Sequence, residues 1–187
     1  MWAVTKREYR SLTCAGSKPV SAERSAKCST FCSAATSDDI GLVDIGTPNN
    51  VHAEQAIAAL EAGKHVACEK PLAGTLADAR AMAAAATGAR GTTSVWFNYR
   101  RVPAVALAHR LVAAGKIGRI YHVRATYLQS WGGPETPLLW RFQGDIAGSG
   151  AHGDLNAHII DSVRFVTGEE IVSVEGEGKS IPVAEFS

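Results

Sequence analysis

The chain has 187 residues, 46% hydrophobic and 20% charged, a balance that fills the core of one domain or of a domain and part of a second. Lys and Arg number 19 and Asp and Glu 18, a net charge of +1, which excludes the one-signed surface expected for a nucleic-acid or acidic-membrane partner. No apolar run approaches the ~20 residues of a membrane span, and "MWAVTKREYR" has no apolar signal core, so the expected compartment is the cytoplasm.

Residues 1–37 are rich in Ser, Ala, Thr, Cys and Lys and show neither helical nor strand periodicity. Cys14, Cys28 and Cys32 fall there; with Cys68 they form no CxxC pair, and all four read as free thiols of a reducing compartment. At Asp38 the character changes. "IGLVDI" (40–45) is a buried-strand run, "GTPNN" is turn chemistry with Gly46 and Pro48 as breakers and Asn50 as a helix cap, and "VHAEQAIAALEAGK" is an amphipathic helix stopped by Gly63. "HVACE" is a second buried strand. "TLADARAMAAAAT" is a second helix, capped by Thr75 and stopped by Gly88, and "TTSVWFNY" is a third strand. Strands alternating with helices across short loops predict βαβ units and a parallel sheet.

Beyond Tyr99 the pattern differs. "VPAVALAHRLVAAGKIG" is one helix from Pro103 to Gly115, and "RIYHVRATYLQ" alternates like a half-buried antiparallel strand. A Gly/Pro-rich loop follows, then a helix from Gly153 to Val166, and "EEIVSVEGEG" reads as another strand.

The chemistry-bearing residues stand at predicted strand ends, where open parallel sheets bind ligands. Lys70 precedes Pro71, which biases its backbone toward extended conformations and so fixes where its ammonium points. Such a lysine can stabilise negative charge developing on a substrate oxygen; the bland reading is a surface lysine before a turn. Asp154 and His158, four apart on a helix, share a face, and Asp161 lies on the same stripe. A carboxylate beside an imidazole orients the ring and raises its proton affinity, a common acid–base arrangement; the bland reading is a capping Asp and an ordinary His. "GSGAHG" (148–153) has the form G-x-G-x-x-G and opens a helix, but it follows polar "WRFQGDIA" instead of a buried parallel strand, so it is rejected as a pyrophosphate loop. His152, Asp154 and His158 fit no common zinc spacing, and no metal is expected.

Four stretches together resemble the glucose–fructose oxidoreductase / inositol dehydrogenase / rhizopine catabolism (Gfo/Idh/MocA) family: "DIGTPNNVHAEQAIAALEAGKHVACEKPLAGTLADA", "FNYRRVPA", "AAGKIGRIYHVRA" and "GSGAHGDLNAHIIDSVRFVTG". The resemblance implies a partial NAD(P)-binding Rossmann domain over 38–99. The beginning of an α+β substrate and oligomerisation domain with a mainly antiparallel sheet follows over 100–187, after an atypical segment 1–37. It implies hydride transfer between NAD or NADP and a sugar, inositol or related polyol, in a homo-oligomer when the family's second domain is whole. Carried over by position, Lys70, Asp154 and His158 are catalytic. Gly46, Thr47, Pro48, Asn49, His52, Glu69, Lys70 and Asn98 line the cofactor, and Arg100, Trp140, Arg141, Asp154 and His158 the substrate. The family's opening strand, glycine loop and cofactor-selecting residue have no counterpart in 1–37, which reads as a truncated or out-of-frame start, and the chain stops short of the family's usual end. An inactive remnant is the alternative that departure raises.

Overall fold

The computed structural model of the chain describes residues 37–130 and 147–176, with 136, 137, 139 and 143 between them. The atypical segment, up to residue 36, and the expected substrate residues Trp140 and Arg141 lie outside the described residues. The described residues fall into two compact units, parted between Trp96 and Phe97 and again between Ser149 and Gly150.

The first unit alternates strand and helix. Strands β1 (Leu42–Ile45), β2 (His65–Cys68) and β3 (Thr93–Val95) form a parallel sheet in that order. The register sets Leu42 opposite His65, Ile45 opposite Cys68, and Cys68 opposite Val95. The β1 and β2 ends are therefore level, and Glu69 N–H continues the ladder by donating to the Ile45 carbonyl at 2.8 Å. Helices α1 (His52–Glu61) and α2 (Leu76–Gly88) supply the crossovers. Val43, Ile45, Val66 and Cys68 from the strands pack with Ala56, Ala59 and Leu60 of α1 and Met82 of α2. The small alanines let the helices lie close to the sheet, and each fully buried Val, Ile or Leu contributes about 1.5–3 kcal/mol.

Local chemistry sets the helix ends. At the end of α1, Gly63 takes φ +75°, its N–H donates to the Leu60 carbonyl, and the Lys64 N–H donates to that of Ala59. This is the two-bond αL stop that favours glycine. Thr75 caps α2 as expected, its Oγ1 accepting from the Asp78 N–H at 3.1 Å. Two expectations shift by a few residues. Gly88 is the last residue of α2 and Ala89 its cap. Asn50 caps nothing, because a 3₁₀ turn, Asn49–Val51, intervenes between Pro48 and α1. The expected third strand ends at Val95, after which Trp96 N–H makes one more bond to the Cys68 carbonyl and residues 98–101 turn as a 3₁₀ helix.

The second unit holds α3 (Pro103–Ala113), a π turn (His152–Asn156) and α4 (Ala157–Thr167). Proline at the first turn of α3 sacrifices no helical hydrogen bond. The His109 ring of α3 stacks on Phe165 of α4, centroids 4.4 Å apart, and its Nδ1–H donates to the Phe165 carbonyl at 2.6 Å. The antiparallel strands expected at 119–129 and 169–178 are not seen. Residues 119–129 and 169–176 make no ladder among the described residues. Alternation alone does not make a strand: its N–H and C=O groups need a partner strand. Here the alternating side chains stand out in solvent, Tyr121 at 84% and Val174 at 86%.

Gly91 is the tightest point of the first unit. A Cβ on it would lie 1.9 Å from the Lys64 carbonyl oxygen, where the chain entering β3 passes the start of β2. Gly91→Ala is therefore expected to lower stability by about 3 kcal/mol in urea unfolding, since backbone on both sides must move. Gly88→Ala, whose Cβ meets nothing within 4 Å, is the control and should change stability by about 1 kcal/mol at most. Equal behaviour of the two variants would contradict this packing.

Candidate active site

The first unit brings several expected cofactor residues to the carboxyl ends of β1 and β2. Gly46 follows β1 directly and is exposed; the space its Cβ would occupy is open to 4 Å. Glu69 follows β2 and is exposed, and its carboxylate accepts from the Lys70 N–H at 3.1 Å. Lys70 is half-buried, and its peptide bond to Pro71 is cis.

The other loop residues have turned inward. Thr47 is buried and donates through Oγ1 to Gln55 Oε1 at 2.8 Å. Asn49 is buried and donates through Nδ2 to the Ala147 carbonyl at 3.3 Å. His52 has no exposed surface: Nε2 lies 2.7 Å from the Thr47 carbonyl and Nδ1 3.1 Å from the Pro71 carbonyl. Carbonyls only accept, so the ring bonds both of them at once only when it carries two protons. His52 thus stands between the loop after β1 and the loop after β2. Residues expected to touch a cofactor divide into the exposed Gly46 and Glu69 with the half-buried Lys70, and those that hold the loops, Thr47, Asn49 and His52. Pro48, half-buried, starts the 3₁₀ turn.

The glycine-rich 148–153 stretch has a conformational reason. Gly148 takes φ +75°, and its Cβ position lies 3.3 Å from the Gly74 carbonyl. Gly150 also takes positive φ.

Cys68 ends β2 under this loop cluster. Burial pushes its thiol up to about 12, with the Glu69 and Asp44 carboxylates acting in the same direction. Such a thiol is inert as a nucleophile at neutral pH.

In the second unit, His158 is buried on α4 among aromatic rings. Tyr99 stacks on it, centroids 4.4 Å apart and planes 26° from parallel. Tyr127 and Phe97 meet it edge-on at 6.1 and 6.2 Å. The Tyr99 and Tyr127 hydroxyls are hydrogen-bonded to each other, and Gln129 Nε2 donates to the Tyr127 oxygen at 2.6 Å. The bond to Tyr127 holds the Tyr99 phenol above its ordinary value, and the Asp154 charge adds to this. Asp154 lies in the π turn one helical step before His158. Asn98 is exposed in the 3₁₀ turn.

Arg100, an expected substrate residue, has an ion-pair partner in its own unit. Its Nε and Nη2 donate to the two carboxylate oxygens of Asp161 at 2.9 and 2.5 Å. Asp161 is 4% exposed and Arg100 44%. The guanidinium is committed to a partner in its own unit, as bidentate geometry favours. Sequence reasoning put Asp161 on the correct stripe but assigned it no partner, and it missed Tyr99, Tyr127 and Phe97. The signal for those three was faint: an aromatic on either side of Asn98 and a third in an alternating run. Among the described residues no group of three or more His, Cys, Asp or Glu side chains could hold a metal ion, and no helix is long and apolar enough to cross a membrane.

Residues 4–97 match the family model described as an oxidoreductase family with an NAD-binding Rossmann fold, and residues 105–185 match the GFO/IDH/MocA C-terminal domain. The chain belongs to the GFO/IDH/MocA oxidoreductase family. The family match takes in residues 4–37, where we read no family element. Levoglucosan dehydrogenase of Pseudarthrobacter phenanthrenivorans is 56% identical over 132 residues, 70% of this chain and 34% of that protein. An oxidoreductase domain protein from Kribbella flavida superposes with a TM-score of 0.71 at 59% identity, covering 75% of this chain and 38% of that one. A levoglucosan dehydrogenase solved in complex with NADH and levoglucosan gives 0.71 at 54% identity, over 74% of this chain and 38% of that one. This member of the GFO/IDH/MocA family thus spans about a third of the length of the relatives it matches.

Two outcomes follow from the charges. Arg100→Ala leaves the buried Asp161 carboxylate without its ion-pair partner and is expected to cost about 2 kcal/mol in urea unfolding, less than a fully buried pair because Arg100 is partly in water. A change below ~0.5 kcal/mol would contradict the pairing. For Cys68 the folded thiol titrates above the ordinary value of 9.0. Stability is then fully present below pH 9 and is lost as pH rises toward 12. Cys68→Ala should flatten that alkaline loss in unfolding curves taken at pH 8 and 10.5. An equally steep loss in the variant would contradict the burial of the thiol.

Proposed function

We propose that this chain carries the working parts of an NAD-dependent dehydrogenase acting on a sugar, an anhydrosugar or a related polyol. The observation that carries the proposal is the placing of Gly46, Glu69 and Lys70 at the level carboxyl ends of adjacent parallel strands. The open space over Gly46 and the exposed Glu69 carboxylate suit a dinucleotide: backbone can approach the cofactor closely, and a carboxylate can accept from ribose hydroxyls. When bound, the nicotinamide supplies the hydride acceptor, and that chemistry is the cofactor's own.

The remaining roles belong to the chain. Lys70 donates a hydrogen bond to the reacting oxygen and stabilises the negative charge that develops on it. His158 takes the hydroxyl proton, and Asp154 binds a neighbouring substrate hydroxyl or steadies the imidazolium. These assignments rest on the matching family motifs. Thr47, Asn49 and His52 act one step back, by shaping the loops that carry Gly46 and Lys70. Asn98 remains a candidate cofactor contact, and Arg100 a candidate substrate contact that also anchors its own turn. The similarity to levoglucosan dehydrogenases runs through both units and makes levoglucosan the first substrate to assay; it also favours the oxidoreductase over the inactive remnant. NAD over NADP is the reading that the family description and the NADH complex support.

The purified chain is expected to bind NADH, seen as enhanced nicotinamide fluorescence, and to reduce NAD with levoglucosan or a related sugar. Lys70→Ala and His158→Ala should each lower kcat by about 10²–10⁴-fold while leaving NADH binding in place for His158→Ala. Folded chain that binds no NADH, or variants that keep full kcat, would overturn the proposal.

A further inference from the structure

His158 is held by its surroundings on one face and two edges. Tyr99 covers the face at 4.4 Å, and Phe97 and Tyr127 close the edges. Tyr99 itself comes from the 3₁₀ turn Asn98–Arg101. That turn is pinned to α4 from the next residue, because Arg100 forms its bidentate pair with Asp161, one helical turn beyond His158. The far end of Tyr99 is tied to Tyr127, which Gln129 also holds. A ring fixed at both its backbone and its hydroxyl is a rigid surface for its neighbour to stack on. Two side-chain rotations, χ1 and χ2, decide where the imidazole nitrogens point, and a stacked partner restricts them.

We propose that Tyr99 is a positioning residue that sets the ring plane of His158, with the Arg100–Asp161 pair and the Tyr127 hydroxyl holding Tyr99 in place. The proposal rests on the reading of His158 as the proton-accepting group. It goes beyond that reading by naming what aims the acceptor. Stacking on a phenol face also suits the imidazolium formed when the proton arrives, through cation–π attraction. The Tyr99 phenol stays neutral through this, since its bond to Tyr127 raises its titration.

The test is NMR of the full chain labelled with ¹³C-histidine. In the native chain the His158 ring signals should stand upfield of free imidazole, with NOEs to the Tyr99 ring protons. Tyr99→Phe keeps the ring but loses the bond to Tyr127, and should leave the signals upfield by less than in the native chain; Tyr99→Leu should return them toward the free position. Turnover of levoglucosan with NAD should fall about tenfold in kcat in Tyr99→Leu, with KM for NAD within about twofold, and be restored only in part in Tyr99→Phe, which keeps the ring without its bond to Tyr127. His158 signals that are the same in Tyr99→Leu as in the native chain would overturn the proposal. If Tyr99→Leu does not fold, the NOEs of the native chain decide, and their absence overturns it. A native chain that shows the stacking signature but neither binds NADH nor turns over contradicts the proposed function and not the stacking.

Discussion

The level pairing of β1 with β2 is the constraint on which the rest depends. Parallel strands run their carboxyl ends to the same edge, and this register ends Ile45 and Cys68 opposite each other. Residues 46–49 and 69–71 therefore emerge side by side. What keeps them there is a polar device under an apolar sheet. His52, wholly buried at the first turn of α1, faces the carbonyls of both loops. A wholly buried polar side chain would be costly without partners. The Thr47 and Pro71 carbonyls lie within reach of its two nitrogens, and each can accept from the nitrogen that carries the proton, so the ring stands between the loop that starts α1 and the loop that carries Lys70.

The second unit solves a similar problem with different means. Its buried positions on α4 are His158 and Asp161, both polar. Each is matched by a partner suited to its chemistry: a bidentate guanidinium for the carboxylate, and a box of aromatic rings for the imidazole. The apolar residues of α3 and α4 remain half-buried or exposed, as Leu107 and Ile160 show at 47% and 46%.

Much of the first unit was legible in the sequence because its signals are local. Buried runs of four residues, a Thr cap, and Gly63 just past a helix need no knowledge of distant chain. The same locality explains what was misjudged. Motif matching marked Thr47, Asn49 and His52 as ligand contacts, yet no spacing rule says which polar side chains of a loop fold under it. Arg100 was marked by position as a substrate residue, while its ion-pair partner lay 61 residues away. Tyr99 and Tyr127 are 28 residues apart, and neither stands out until the fold joins them. The strands read at 119–129 and 169–178 form no ladder among the described residues: alternation records a face, but a ladder needs a second strand.

The central claim is that the joined carboxyl ends of β1 and β2 form the cofactor-facing edge of this chain. It is tested most directly by backbone NMR during titration with NADH. The account predicts that the largest amide shifts fall at Gly46, Glu69 and Lys70, with smaller ones at Thr47 and Asn49, and none in α3. Shifts confined to other parts of the chain, or no shift at any NADH concentration in folded protein, would contradict it.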